Sequence, residues 1–378
     1  MRPTWAEIRL DHIAANYRSI KTLVGEKVEV MAVVKADAYG HGALPIATHL
    51  EKEGVDWFGV ALVEEGIALR RAGIKSAILC LGGFWQEEQA HDCIEYNLIP
   101  TIYRIDMLDT LNAVARACNQ QVKFHVKLDT GMGRLGLSPE QLEEFLRHTT
   151  ACQQLLLDGV MTHLAAAEEI EKNDFTNAQI SRYLDCLRLI RKAGFNPHYE
   201  HIANSAGTHG WPQARGNLVR TGGLLYGFWR DVISPISPPP TLAPVLSLHT
   251  QIILLKSVPA GTLLGYGGSF RTTRESRIAT LPIGYYDGLR RAYSNNGRVL
   301  VRGQSAPIVG RISMDLTLID VTDITGVCLS DKVVLIGQSD NLMITAEEMA
   351  SWIGTISYEV TCALSQRVPR FYLNSPKL

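Results

Sequence analysis

From about residue 28 to residue 223 the chain alternates apolar runs of strand length with amphipathic stretches of helical spacing. The runs are VEVMAVVK, VDWFGVA, SAILCLGG, IPTIY, VKFHVKLD, LLDGVMTHL, HYEHIANS and LVRTGG; between them lie segments such as EEGIALRRAG, PEQLEEFLRHTT and ISRYLDCLRLIRKAG. Most runs are continuous rather than alternating, as parallel strands buried on both faces require. Strand–helix alternation defines an α/β domain, and eight strands over roughly 200 residues predict a (β/α)₈ TIM barrel. A doubly wound sheet gives a similar pattern, but no G-x-G-x-x-G follows the first run, so dinucleotide binding has no support.

At residues 233–241, ISPISPPPT places four prolines in nine positions, which marks a linker. Beyond it come β-like segments with glycine turns, VLSLHTQIILLKSV, SRIATLPIG, RVLVRG, LTLIDV and DKVVLIG, and one short helix, TAEEMASWIG. The expected organisation is a barrel over residues 1–235 and a mostly-β domain over 236–378. The net charge of −1 argues against a nucleic-acid surface and points to small-molecule chemistry. Seven dispersed cysteines, without metal or redox spacing, fit reduced thiols in a cytoplasmic protein. The charged N-terminus lacks the apolar run of a signal peptide, and no apolar stretch reaches membrane-span length. Neither a metal site nor a membrane partner is expected.

Active groups of a parallel barrel sit at the C-terminal ends of its strands. The polar residues that end or interrupt the apolar runs are Lys35, Lys127, Asp129, Arg134, His163, Asn204, Ser205 and Arg220. Each has an ordinary structural explanation. A lysine at a strand end snorkels to solvent, a lone histidine is a satisfied core residue, and an arginine forms a surface ion pair. Lys35, after VEVMAVV, would instead reach into the barrel mouth. Partial desolvation there lowers its proton affinity and makes it an amine nucleophile for an aldehyde.

AVVKADAYGHG, residues 32–42, closely resembles the lysine signature of the alanine racemase family, in which the lysine holds pyridoxal 5′-phosphate (PLP) as an imine. WAEIRLDHIAANYR, KLDTGMGRLG, MTHLA, ANSAG, VRTGGLLYG, LGYGGSF, LPIGYYDG, PIVGRISMD and YEVTCALSQRVPR also resemble family landmarks. They occur in the family's order and span nearly the whole chain. The resemblance implies a PLP-carrying barrel, a C-terminal β-domain and a cytoplasmic isomerase that interconverts L- and D-alanine for cell-wall peptidoglycan.

By the same resemblance, Lys35 and Tyr266 are the two opposed acid/base groups, with Tyr266 reaching the site from a partner subunit, so that a homodimer shares its active sites. Arg220 faces the pyridine nitrogen of PLP and, always protonated, leaves that nitrogen without a proton. This weakens the electron sink and disfavours decarboxylation and transamination. His163 lies against the cofactor ring. Tyr39, Ser205, Gly222, Gly223 and Tyr358 correspond to the phosphate site, where hydroxyls and amides converge on a dianion. Arg134 and Met314 correspond to substrate contacts, a guanidinium fork being suited to carboxylate. Lys127 matches a position that is carbamylated in some members.

The chain departs from the family pattern at Gly223, Leu164, Glu168 and Tyr286, which bears on substrate range and rate. Two alternatives stay open: a racemase of another small amino acid such as serine, and a non-catalytic PLP-binding protein. Arg220 argues against a barrel-type decarboxylase.

Overall fold

A computed structural model of the chain describes residues 2–234 and 240–374. The chain forms two compact units. One comprises Ala14–Ala38 and Ala43–Leu242, the other the residues up to Ile13, Tyr39–Gly42 and the chain from Ala243 onward. Strands are numbered along the chain, beginning with β1 (Thr4–Arg9) in the second unit.

The first unit is a ring of eight parallel strands: β2 (Glu29–Val33), β3 (Trp57–Val60), β4 (Ala77–Cys80), β5 (Ile99–Ile102), β6 (Val122–Lys127), β7 (Leu155–Met161), β8 (Tyr199–His201) and β9 (Leu218–Thr221). Their order is β8-β7-β6-β5-β4-β3-β2-β9. Asn217 N to Glu200 O, 3.1 Å, and Arg220 N to Ala203 O, 3.0 Å, link the β9 segment back to that of β8. All eight expected strands are therefore present, and the barrel is nearly closed.

The continuity of the apolar runs follows from burial on both faces: every residue of β3 and of β9 is buried. Met31, Trp57, Leu79, Met161 and Leu218 pack together inside the ring. Buried side chains of this size each contribute roughly 1.5–3 kcal/mol. The surrounding helices turn one stripe inward; Ile105–Ala117 buries Met107, Leu108, Leu111, Val114 and Ala115, the spacing that places side chains on one helical face.

The second unit is mostly β, as expected. Its strands are β10 (Leu246–Gln251), β11 (Leu254–Val258), β12 (Leu263–Leu264), β13 (Phe270–Arg271), β14 (Ser276–Leu281), β15 (Arg298–Val301), β16 (Gln304–Pro307), β17 (Thr317–Asp320), β18 (Lys332–Ser339), β19 (Leu342–Ile344) and β20 (Arg370–Leu373). A seven-stranded sheet runs β16-β15-β18-β10-β1-β20, with β19 on β18; β11-β14-β17 form a second sheet and β12-β13 a ribbon.

Two expectations differ from what is seen. The apolar run VLSLHTQIILLKSV is split between β10 and β11, which belong to different sheets, and a second helix, Ser357–Cys362, follows Ala346–Trp352. The division of the chain also differs. β1, assigned with the barrel from sequence order, pairs antiparallel with β10 and parallel with β20. Alternate β1 residues Thr4, Ala6 and Ile8 are buried, the period-two pattern of a strand with one covered face. The expected boundary at residue 235 and most of the proline-rich linker lie outside the described residues. Among the described residues no helix is long and apolar enough to cross a membrane.

Candidate active site

In the barrel unit, Arg220 lies on a fully buried strand, β9, and is 3% exposed. Its Nη1 donates to His201 O at 2.8 Å and to His201 Nδ1 at 3.1 Å. Its Nη2 donates to Thr162 O at 2.6 Å, Ile202 O at 3.0 Å and His163 Nδ1 at 3.2 Å. No carboxylate pairs with it among the described residues. Burial lowers its pKa to about 10, which still leaves it charged at neutral pH. A buried charge without a counter-ion is costly, so its hydrogen bonds to carbonyls and imidazoles are what keep it there. His163 is held neutral, far below its usual range, first by burial and then by Arg220, Lys127, Arg134 and Lys35.

Lys127, the last residue of β6, is 6% exposed. Burial, reinforced by Arg220, Arg134 and Lys35, lowers its pKa to about 8, with Asp129 opposing the shift. The loop that follows is tied by Asp129 Oδ1, which accepts from the amides of Gly131 at 2.9 Å and Gly133 at 3.1 Å. At Gly136, φ is +142° and a Cβ would stand 2.4 Å from Asp129 N, so glycine is required. Arg134, carried on this loop, is exposed. The loop is seated on the barrel by the Thr130 and Thr162 hydroxyls, 2.8 Å apart, and by Arg182 on Thr130 O, 2.8 Å.

Ser205 is buried at the start of helix Ser205–Gly210, which Asn204 caps through Gly207 N at 2.9 Å. Its Oγ accepts from Gly222 N at 3.1 Å and Leu224 N at 3.4 Å, bringing the serine to the glycine pair after β9.

Lys35 opens a turn of unusual geometry. Ala36, Asp37, Ala38 and Tyr39 all have φ between 52° and 54°, four consecutive L-residues in the left-handed region. Each costs roughly 1–2 kcal/mol relative to the right-handed form. The turn is therefore held by external bonds. Ala36 N donates to Glu65 Oε1 at 2.7 Å, Ala43 N to Asp37 Oδ1 at 2.7 Å, and Ala38 N to Val34 O at 2.9 Å. Glu65 also accepts Ala61 N at 2.7 Å and Leu62 N at 3.2 Å on its other oxygen.

In the second unit, the Tyr39 ring lies 5.3 Å from that of Tyr358. A Cβ on Gly40 would stand 2.2 Å from Thr361 O, so the chain leaves the turn through a position only glycine fits. Tyr266 sits in the 3₁₀ turn Tyr266–Gly268 between β12 and β13 rather than in a strand, and is 71% exposed. Met314 is half exposed, and its carbonyl accepts Tyr286 N at 3.1 Å. Arg367 lies 4.9 Å over the Tyr286 ring and pairs with Asp315 at 2.8 Å. Fully buried Asp287 anchors this loop, taking Arg2 Nη2 at 2.6 Å and Gly284 N at 2.9 Å.

The structure thus gathers Lys127, His163, Ser205, Arg220 and Gly222 at the C-terminal ends of barrel strands, with Lys35 and Arg134 electrostatically coupled to them. Tyr39, Tyr266, Met314 and Tyr358 belong to the second unit. Sequence reasoning missed Glu65, His125 and His201. The one visible signal was a histidine inside each of two apolar runs, VKFHVKLD and HYEHIANS. Glu65 gave none, being one glutamate among many on a helix.

The family model described as alanine racemase, N-terminal domain, matches residues 8–229, and that of the C-terminal domain matches residues 245–372. An alanine racemase of Halothermothrix orenii is 42% identical over 99% of this chain and 97% of its own length. One from Syntrophobacter fumaroxidans is 43% identical over 97% of this chain and 96% of its own. Among solved structures, the alanine racemase of Clostridium difficile 630 superposes with a TM-score of 0.92 at 37% identity, covering 99% of this chain and 97% of that one. That of Bacillus anthracis, with bound L-Ala-P, gives 0.93 at 37% identity over 100% and 96%. Two domain models in order, relatives matched end to end and neighbours of the same architecture lead to one conclusion: this chain belongs to the alanine racemase family.

Proposed function

We propose that this protein interconverts L- and D-alanine with PLP as cofactor, using Lys35 and Tyr266 as opposed acid/base groups. The observation that carries the reading is Arg220, a charged guanidinium fixed at the barrel's strand ends by carbonyls and two imidazole nitrogens. The donor set suits an anionic cofactor and a carboxylate substrate: Lys35, Lys127, Arg134 and Arg220 are four cations with Asp129 as the acid among them. PLP, when bound, withdraws electrons from the substrate's Cα and makes its proton removable.

The chain's residues supply the rest. Lys35 Nζ takes or returns the Cα proton on one face, and the Tyr266 hydroxyl does so on the other. Arg220 would offer the cofactor's ring nitrogen a donor that does not surrender its proton, which would restrain stabilisation of negative charge and favour return of the proton to Cα. His163, neutral and accepting from Arg220, would flank the ring. Ser205, Gly222, Gly223, Tyr39 and Tyr358 would hold the phosphate, and Arg134 and Met314 the substrate.

A catalytic tyrosine that is 71% exposed in its own chain is incomplete by itself. This supports a homodimer in which Tyr266 serves the partner's site. Lys127, with a pKa of about 8, has an appreciable neutral fraction near neutral pH. Such an amine adds to carbon dioxide and loses a proton, giving a carbamate anion placed to orient Arg134. Free, scattered cysteines favour a reducing cytoplasmic setting.

The test is exchange of the alanine Cα proton in D₂O, followed together with loss of optical purity. Tyr266→Phe should keep the visible absorption of bound cofactor but lose roughly 10²–10⁴-fold in racemisation, the usual contribution of a general acid/base. Lys35→Ala should lose covalent cofactor attachment. Substantial turnover by Tyr266→Phe defeats the two-base assignment. The same assay with L-serine sets the substrate range.

A further inference from the structure

Behind Arg220 lies a hydrogen-bonded pair of histidines. His201 Nδ1 faces Arg220 Nη1 at 3.1 Å, and His201 Nε2 faces His125 Nδ1 at 2.9 Å. Both rings are 0% exposed. Guanidinium nitrogens only donate, so His201 Nδ1 must present a lone pair. Its proton then sits on Nε2 and points at His125, whose Nδ1 must accept it. With both neighbours in place the chain of donors therefore runs one way, Arg220 to His201 to His125. The last proton, on His125 Nε2, has no hydrogen-bond partner among the described residues.

We propose that His125 is a positioning residue: by accepting the hydrogen bond from His201 Nε2–H it holds His201 in the one tautomer that can receive Arg220, and so helps fix the guanidinium where it would meet the cofactor ring. This rests on the reading of Arg220 given above.

Two features show that the barrel is built around this ring. A Cβ on Gly159 would stand 2.5 Å from His125 Nδ1, so the imidazole lies flat on glycine backbone. The β6–β7 register also shifts between Phe124 and His125, pairing His125 with Gly159. The ring is further enclosed by Trp57 at 5.5 Å and Tyr199 at 5.9 Å. An apolar residue would fill this space and remove the orphaned His125 Nε2–H, but it would leave the buried His201 Nε2–H without its acceptor. What histidine adds is the Nδ1 acceptor. Burial, with Arg220 adding to it, keeps both rings neutral, His125 having a pKa of about 3.

The test uses the holoenzyme. Side-chain ¹⁵N spectra of the unmodified protein should show His125 and His201 as neutral Nε2–H tautomers; Nδ1–H on His201 overturns the proposal without any variant. His125→Leu and His125→Asn have similar shapes, but only asparagine offers an oxygen near the Nδ1 position. The leucine variant should lose about tenfold in kcat, equivalent to about 1.4 kcal/mol, with little change in KM for alanine, and His201 should become a tautomer mixture. The asparagine variant should retain kcat within about twofold and keep the His201 tautomer. Equal kcat in the two variants overturns the assignment. Arg220→Lys separates the two levels. If it racemises normally, the Arg220 reading fails; if it is impaired while leucine and asparagine match, only the His125 assignment fails.

Discussion

Replacing Glu65 with alanine removes the carboxylate that grips the turn after Lys35. Four consecutive left-handed residues, Ala36–Tyr39, hold roughly 4–8 kcal/mol of unfavourable backbone conformation at 1–2 kcal/mol each. Glu65 opposes this directly with one bond, from Ala36 N at 2.7 Å, and is itself anchored by the amides of Ala61 at 2.7 Å and Leu62 at 3.2 Å. Bonds to a charged acceptor contribute about 1.5–3 kcal/mol each when protected. The Ala36 and Leu62 amides are partly wet and regain water, so the net loss is about 2 kcal/mol. At 2–4 °C per kcal/mol, the barrel's unfolding midpoint should fall by about 4–8 °C. Because Ala36 directly follows Lys35, a loosened turn also misplaces the amine, and kcat for alanine should fall about tenfold. Glu65→Gln keeps one carbonyl oxygen and should lie between the two. Differential scanning calorimetry and a racemisation assay on the same preparations read both effects. If Glu65→Ala melts within about a degree of the parent and turns over normally, the turn is held by other contacts and the strain argument fails.

The remaining expectations concern the shared site and Lys127. Lys35→Ala and Tyr266→Phe chains, each inactive alone, should recover about a quarter of parental activity when co-refolded: half the dimers are mixed, and one site of two in each is intact. Failure of complementation in confirmed mixed dimers would place both residues in one chain's own site. For Lys127 the folded pKa, about 8, lies below the unfolded value, so the unfolded chain binds the extra proton between about pH 8 and 10.5. Stability should therefore rise with pH across that window, and Lys127→Met should remove the rise; an unchanged slope points to a different group. Intact mass in bicarbonate buffer should show about 44 Da added to the parent, the mass of one CO₂, but not to Lys127→Met.

The barrel was legible because its cause is local. Strands buried on both faces must be apolar throughout, and the eight runs advertise that. The candidate residues at the strand ends, Lys35, Lys127, His163, Ser205 and Arg220, could be read for the same reason, since a polar residue closing an apolar run stands out. What sequence order could not reveal is pairing at a distance. β1 opens the chain yet lies between β10 and β20, because hydrogen bonding and a covered face, rather than proximity along the chain, decide where a strand belongs. The left-handed turn after Lys35 is equally hidden. Alanine, aspartate and tyrosine carry no clear signal for a run of positive φ, and bonds made in the fold, among them those from Glu65 and Asp37, sustain it. The environment of Arg220 was also decided by tertiary structure alone. The sequence shows an arginine in an apolar run; only the nearly closed barrel removes its water, gives it no carboxylate among the described residues, and lines up His201 and His125 behind it so that Arg220 and His125 together set where the His201 proton resides.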